Sequence, residues 1–268
     1  MADQPGVPAT LTLAEARRRG QGSAHLDADP TYARLILRRI SPVISWAAVR
    51  YTGLGADAIT SLSIGLGVLG GLLVALGTPV SALAAVVLLQ SACLLDIVDG
   101  EVARIRGTAS RRGTYLDLIG HFLQNRALYA GAGLSLVWVT GGAWWALAAA
   151  FLALGFAVPF GHYAALQARG GTAAGNPDHG PRVAVARPRG TNPVAWLAWL
   201  YRRAAFLWAY PASMNAFCVA ILVDLARAGA GDPRPLAVPG LLAIFGPTLA
   251  LKQLANALRL LRTGPWTT

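Results

Sequence analysis

Three aspartates and a histidine fall within one short stretch, Asp96, Asp99, Asp117 and His121, with Gly100, Arg104 and Gly113 between them. On helices, residues three and four apart share a face. Asp96, Asp99, Gly100 and Ala103 then form one acidic stripe of small residues, and Asp117, His121 and Gln124 or Asn125 form a second. Two antiparallel helices joined by the short segment before Gly113 would turn these stripes toward each other. Three converging carboxylates repel one another unless neutralised. An oxygen-rich set of this kind suits Mg²⁺ or Mn²⁺, with open positions left for phosphate oxygens. Gly100 lets a diphosphate approach the helix, Arg104 offers it a fixed cation, and Gly113 gives the same room from the opposite side.

The elements that carry these residues are expected to lie in a membrane. The chain has 268 residues, of which 55% are hydrophobic and only 13% charged, and its mean hydropathy of +0.49 is too high for an ordinary soluble domain of this size. Ala58 to Leu95 holds no charged residue and is long enough for two crossings joined at Gly77-Thr78-Pro79. Ala127 to Ala168 supplies two more, Ala204 to Val223 a fifth, and Leu236 to about Leu258, interrupted by Lys252, a sixth. An ionised group inside such a span is costly and marks a functional site by default.

The net charge of +11 follows topology rather than a nucleic-acid footprint. Arginines precede the first span, lie between spans two and three and between four and five, and recur near the end; Arg227 and Arg234 alone fall on the other side. The positive-inside rule therefore puts both termini and the active end on the cytoplasmic side, and high Ala, Gly and Arg usage leads us to expect a bacterial inner membrane. Residues 1–30 are expected to be a flexible cytoplasmic N-terminus with room for one short helix at Leu13 to Arg18, and 31–55 an interfacial amphipathic helix broken near Pro42. Residues 56–262 form the six-helix domain, with a cytoplasmic loop at about 169–203. The fold class is all-α integral membrane. Without a cleavable leader, the first span is itself the insertion signal. Cys93 and Cys218 are apolar fillers.

The full spacing is Asp96-x2-Asp99-Gly100-x2-Ala103-Arg104-x8-Gly113-x3-Asp117-x3-His121. It closely resembles the signature of the CDP-alcohol phosphotransferase family, in which the place of His121 is held by a fourth Asp. Ala58-Ile59-Thr60 also resembles the start of the family's first span, where its usual Pro-Asn is here Ala56-Asp57. The resemblance implies a CDP-alcohol donor such as CDP-diacylglycerol, an alcohol acceptor, release of CMP, a place in phospholipid or related headgroup synthesis, membrane lipids as surroundings and a homodimer. Carried over by position, Asp96, Asp99 and Asp117 become ligands of Mg²⁺ or Mn²⁺, and Gly100, Ala103, Arg104 and Gly113 the cradle for CDP. His121 stands where the family's base stands, and a neutral imidazole is competent both as general base and as metal ligand.

Arg111, Arg112, Arg126 and Lys252 are candidates for binding the acceptor, with membrane anchoring as the plain reading for the first two. Arg126 lies deeper, where pairing with Asp224 or Asn125 is the other choice. His162 is expected at the interface, and His25 and His179 in loops. Two rivals to the transferase remain: an altered family member that binds nucleotide and metal or carries cations, and a polyprenyl-diphosphate transferase. The latter needs a second Asp-rich motif, but Asp178, Asp224 and Asp232 stand alone. A transporter would spread polar residues over several spans.

Overall fold

The computed structural model describes residues 11–21, 36–147, 211–232 and 234–263, with isolated positions between 150 and 199; from residue 252 on it describes backbone only. Among the described residues the regular structure is helical: α1 (Leu13–Gly20), α2 (Arg38–Tyr51), α3 (Ala56–Ala75), α4 (Pro79–Arg106), α5 (Arg111–Thr140), α6 (Ala212–Gly229) and α7 (Ala237–Thr263). Three of these, α3, α4 and α6, are long and apolar enough to cross a membrane, and Ala237–Leu251 is a shorter apolar segment. They match the expected spans one, two and five and part of span six. The expected fourth span, His162, His25, His179 and nearly all of the loop at 169–203 lie outside the described residues. Leu62, Leu69, Leu72, Val80, Leu83, Val87 and Val219 are exposed on α3, α4 and α6, which water would penalise and lipid tails do not.

Contacts divide the chain into two units. The first comprises Met1–Gly65, Ser91–His121 and Ala173–Ala212, so it holds α1, α2, the start of α3, the end of α4 and the start of α5. Leu11, Ala16, Val49, Ile59, Val98, Val102 and Ile105 form its buried apolar cluster. Within the N-terminal stretch, residues 11–21 are docked on this cluster, and the short helix expected at Leu13 to Arg18 extends to Gly20. Thr12 caps α1 by accepting the Glu15 N–H at 3.3 Å. The Trp46 indole N–H reaches the Leu11 carbonyl at 3.0 Å. The break expected at Pro42 is absent, since α2 runs through it. Pro42 has no N–H for the carbonyl four residues earlier, that of Arg38. The Gln21 side-chain amide donates to that carbonyl instead, at 2.9 Å.

α2 buries Ser41 and Ser45 and exposes Ile40 and Val43, as Ile36 just before it is exposed. The buried stripe is polar because it surrounds Glu101 of α4. Its Oε1 accepts from Ser41 Oγ at 2.7 Å and Gln21 Nε2 at 2.9 Å, and its Oε2 from Ser45 Oγ at 2.5 Å. Arg38 completes the set as an ion pair at 3.3 Å. A buried carboxylate tolerates its site only when charge and hydrogen bonds are matched in this way.

The second unit comprises Leu66–Gln90, Phe122–Thr172 and Ser213–Thr268. Its helices pack through small residues and aromatic rings. Gly71 lies so close to α5 that a Cβ there would sit 2.5 Å from the Ala127 carbonyl carbon, the close approach that small residues permit between membrane helices. Phe217 meets Tyr129 and Phe245 edge-to-face, with centroids 5.0 and 6.0 Å apart. α6 continues past the expected end at Val223. Asp224 then caps the next helix, its carboxylate accepting the N–H groups of Leu236 and Ala237 at 2.8 Å and of Val238 at 2.9 Å.

Candidate active site

The turn between α4 and α5 sets the site's geometry. Gly107 has φ +68°, the left-handed conformation natural to glycine. Around it, the Thr108 N–H bonds the Ala103 carbonyl at 2.8 Å and the Gly107 N–H the Arg104 carbonyl at 3.2 Å, a Schellman ending that stops α4 sharply. Ser110 then starts α5, its Oγ accepting the Gly113 N–H at 3.1 Å.

Asp96 at the end of α4 meets Asp117 and His121 one turn apart on α5. His121 Nε2 lies 3.0 Å from Asp96 Oδ1 and 3.1 Å from Asp117 Oδ1. One ligand atom from each of the three residues falls within 4.8 Å of the others. A cation can take the place between the carboxylates that a proton on Nε2 otherwise fills, and a donor set of two carboxylates and one imidazole suits a divalent metal.

Asp99, also expected in the metal set, accepts through Oδ2 from Thr60 Oγ1 of α3 at 2.6 Å; the donor atoms within 4.8 Å of one another come from Asp96, Asp117 and His121. Asp99 lines a neighbouring cavity of about 290 Å³ with Gly100, Ala103, Arg104, Gly113 and Asp117, near the lower end of small-molecule sites. The four residues of the expected CDP cradle thus share one cavity with two of the expected metal ligands. Arg104 NH1 lies 3.2 Å from where a Cβ on Gly100 would stand, so the guanidinium covers the space that glycine leaves.

Residues 54–186 match the model of the CDP-alcohol phosphatidyltransferase family. The chain belongs to that family. A search of curated proteins returned no match. The CDP-alcohol phosphatidyltransferase match covers α3, α4 and α5, and with them Asp96, Asp99, Asp117 and His121, while α1 and α2 precede it. Membership makes the chain one of a class of transferases that move a phosphoalcohol from a CDP-alcohol to an acceptor alcohol. The family uses divalent metals, and the donor set of Asp96, Asp117 and His121 fits one.

The acceptor candidates are scattered. Arg112 pairs with Asp57 at 3.5 Å, both side chains being well exposed. The side chains of Arg111 and Lys252 are outside the description. Arg126 belongs to the second unit, where it stacks over Phe122 and donates to the Phe122 carbonyl at 3.3 Å. It pairs with neither alternative: Asn125 accepts from Ser213 at 3.2 Å, and Asp224 is spent on capping. Sequence reasoning passed over Glu101 and Thr60. Their signal was Ser41 and Ser45, four apart in the otherwise apolar stretch between Arg39 and Arg50, and a threonine at the start of a charge-free span.

Proposed function

We propose that this protein is a metal-dependent CDP-alcohol phosphotransferase of a membrane's cytoplasmic face, acting in the synthesis of phospholipid or related headgroups with CDP-diacylglycerol or a similar donor. The observation that carries the reading is the convergence of Asp96, Asp117 and His121 beside a cavity lined by Asp99, Gly100 and Arg104. Asp96, Asp117 and His121 would hold Mg²⁺ or Mn²⁺. A bound metal would neutralise the donor's diphosphate and ease the departure of CMP. Arg104 would pair with phosphate oxygens across Gly100. Thr60 holds Asp99 at the cavity wall, at 2.6 Å. The acceptor hydroxyl attacks the phosphorus that carries the donor's alcohol, the bond from that phosphorus to the CMP oxygen breaks, and CMP leaves with the electron pair. α2, with Ile40 and Val43 outward, would rest those side chains in the interface.

A second role for His121 is favoured by the two carboxylates at its Nε2, because paired acids orient an imidazole that accepts a proton. Ligand and base are exclusive posts for one nitrogen atom. His121→Ala that loses metal binding identifies the ligand; His121→Ala that keeps the metal but loses turnover identifies the base.

The test of the function is CMP release from radiolabelled CDP-diacylglycerol by purified protein supplied with Mg²⁺ or Mn²⁺ and a pool of alcohols. Release that depends on acceptor, stops with chelator and returns with metal is expected. Absence of release from any CDP-alcohol, in protein that still binds nucleotide, would replace the transferase with a binding protein.

A further inference from the structure

The guanidinium at the donor cavity is held from outside the family domain. Arg104 Nε donates to the carbonyl of Gly20, the last residue of α1, at 2.6 Å, whereas the family match begins only at residue 54. Nε and the two terminal nitrogens lie in one rigid plane, so a bond at Nε fixes where the rest of the fork points. Here the NH1 side faces Gly100, at 3.2 Å from that residue's absent Cβ, and Arg104 lines the cavity. The Gly20 carbonyl is itself fixed. The adjoining Gln21 amide donates to Glu101 Oε1 at 2.9 Å, and a Cβ on Gly20 would meet the Glu101 Cβ at 3.2 Å. Glu101 and Arg104 are three apart on α4, so the residue that anchors α1 and the one that α1 aims belong to the same turn.

We infer that α1 is a positioning element for donor binding: locked by Gln21 on Glu101, it presents the Gly20 carbonyl that aims Arg104 across Gly100 at the donor's diphosphate. The inference rests on the reading of Arg104 as a donor ligand, and the test separates the two. CDP affinity is measured by calorimetry on the full-length protein in nanodiscs, with KM and kcat for CDP-diacylglycerol alongside, for wild type, Arg104→Ala, Gln21→Ala and the double variant. Arg104→Ala is expected to weaken CDP binding about tenfold or more. Gln21→Ala is expected to weaken it about threefold to tenfold and to raise KM while changing kcat little. The double variant should bind no worse than Arg104→Ala, because α1 acts only through that side chain. Gly20→Ala, which crowds Glu101, should reproduce Gln21→Ala by an independent route. Unchanged CDP affinity in Gln21→Ala and Gly20→Ala would overturn the inference. So would an equal further loss when Gln21→Ala is added to Arg104→Ala, which would make α1 a scaffold only. Wild-type affinity in Arg104→Ala would instead remove the reading of Arg104 on which the inference stands.

Discussion

The two units solve the burial of polar groups in opposite ways. In the first, buried polar side chains are many and, the Arg106 Nε apart, matched: Glu101 has Gln21, Arg38, Ser41 and Ser45, and Asp99 has Thr60. In the second, large apolar side chains such as Phe217, Leu128, Met214 and Leu242 are fully buried, and the buried Tyr129 hydroxyl has no hydrogen-bond partner among the described residues. Polar partners concentrate where charged groups must be kept in place for chemistry, whereas close packing suffices where helices only need to associate.

The comparison can be broken most severely at the carboxylates. Asp96→Asn should lower CMP formation by about 10² to 10³-fold in the release assay while leaving the melting temperature near that of wild type. A variant that melts early and keeps its turnover would make this aspartate structural. Glu101→Ala removes the buried carboxylate that Gln21, Arg38, Ser41 and Ser45 share, and should cost about 3 to 5 kcal/mol of stability, read by thermal unfolding in detergent. If its loss is under about 1 kcal/mol, the polar interior of the first unit is not what holds α1 and α2. In the second unit, Asp224→Ala removes the cap of α7 and should cost about 1 kcal/mol in the same unfolding measurement, with CMP formation unchanged. The smallest effect is expected at Gln90, whose amide bonds Asn215 at 2.8 Å. Gln90→Leu should cost about 0.6 kcal/mol, the usual worth of a hydrogen bond between membrane helices, by unfolding or protease resistance. A loss as large as that of Glu101→Ala would erase the contrast between the units.

The site was legible where its order is local. Asp96, Asp99 and Gly100 on one stripe, with Asp117 and His121 on another, follow from helical spacing, and the helices α4 and α5 do carry them in that arrangement. Spacing could not say how closely the four side chains converge, because that depends on side-chain direction and on partners such as Thr60, which donates to Asp99. Glu101 was opaque for a different reason: its partners lie 56 to 80 residues away in sequence, on a helix and a segment whose own spacing does not tie them to α4. The same distance hid the docking of α1, whose composition reads as polar and loose until Gly20 and Gln21 meet α4. Pro42 misled because a proline's missing donor is invisible as a cost when another side chain supplies it. The extension of α6 beyond Val223 was masked by Asp224, which ends an apolar run in sequence but serves the next helix in space.

The most direct test of the central claim is Mn²⁺ binding followed by electron paramagnetic resonance, in the presence of CMP, with nitrogen coupling recorded by spin-echo modulation. Wild-type protein is predicted to take up Mn²⁺ with coupling to one imidazole nitrogen, His121→Ala to lose that coupling, and Asp96→Asn and Asp117→Asn to bind the ion at least tenfold more weakly. Mn²⁺ uptake that is indifferent to all three substitutions would contradict the account, and would move the metal away from the place where α4 and α5 bring these side chains together.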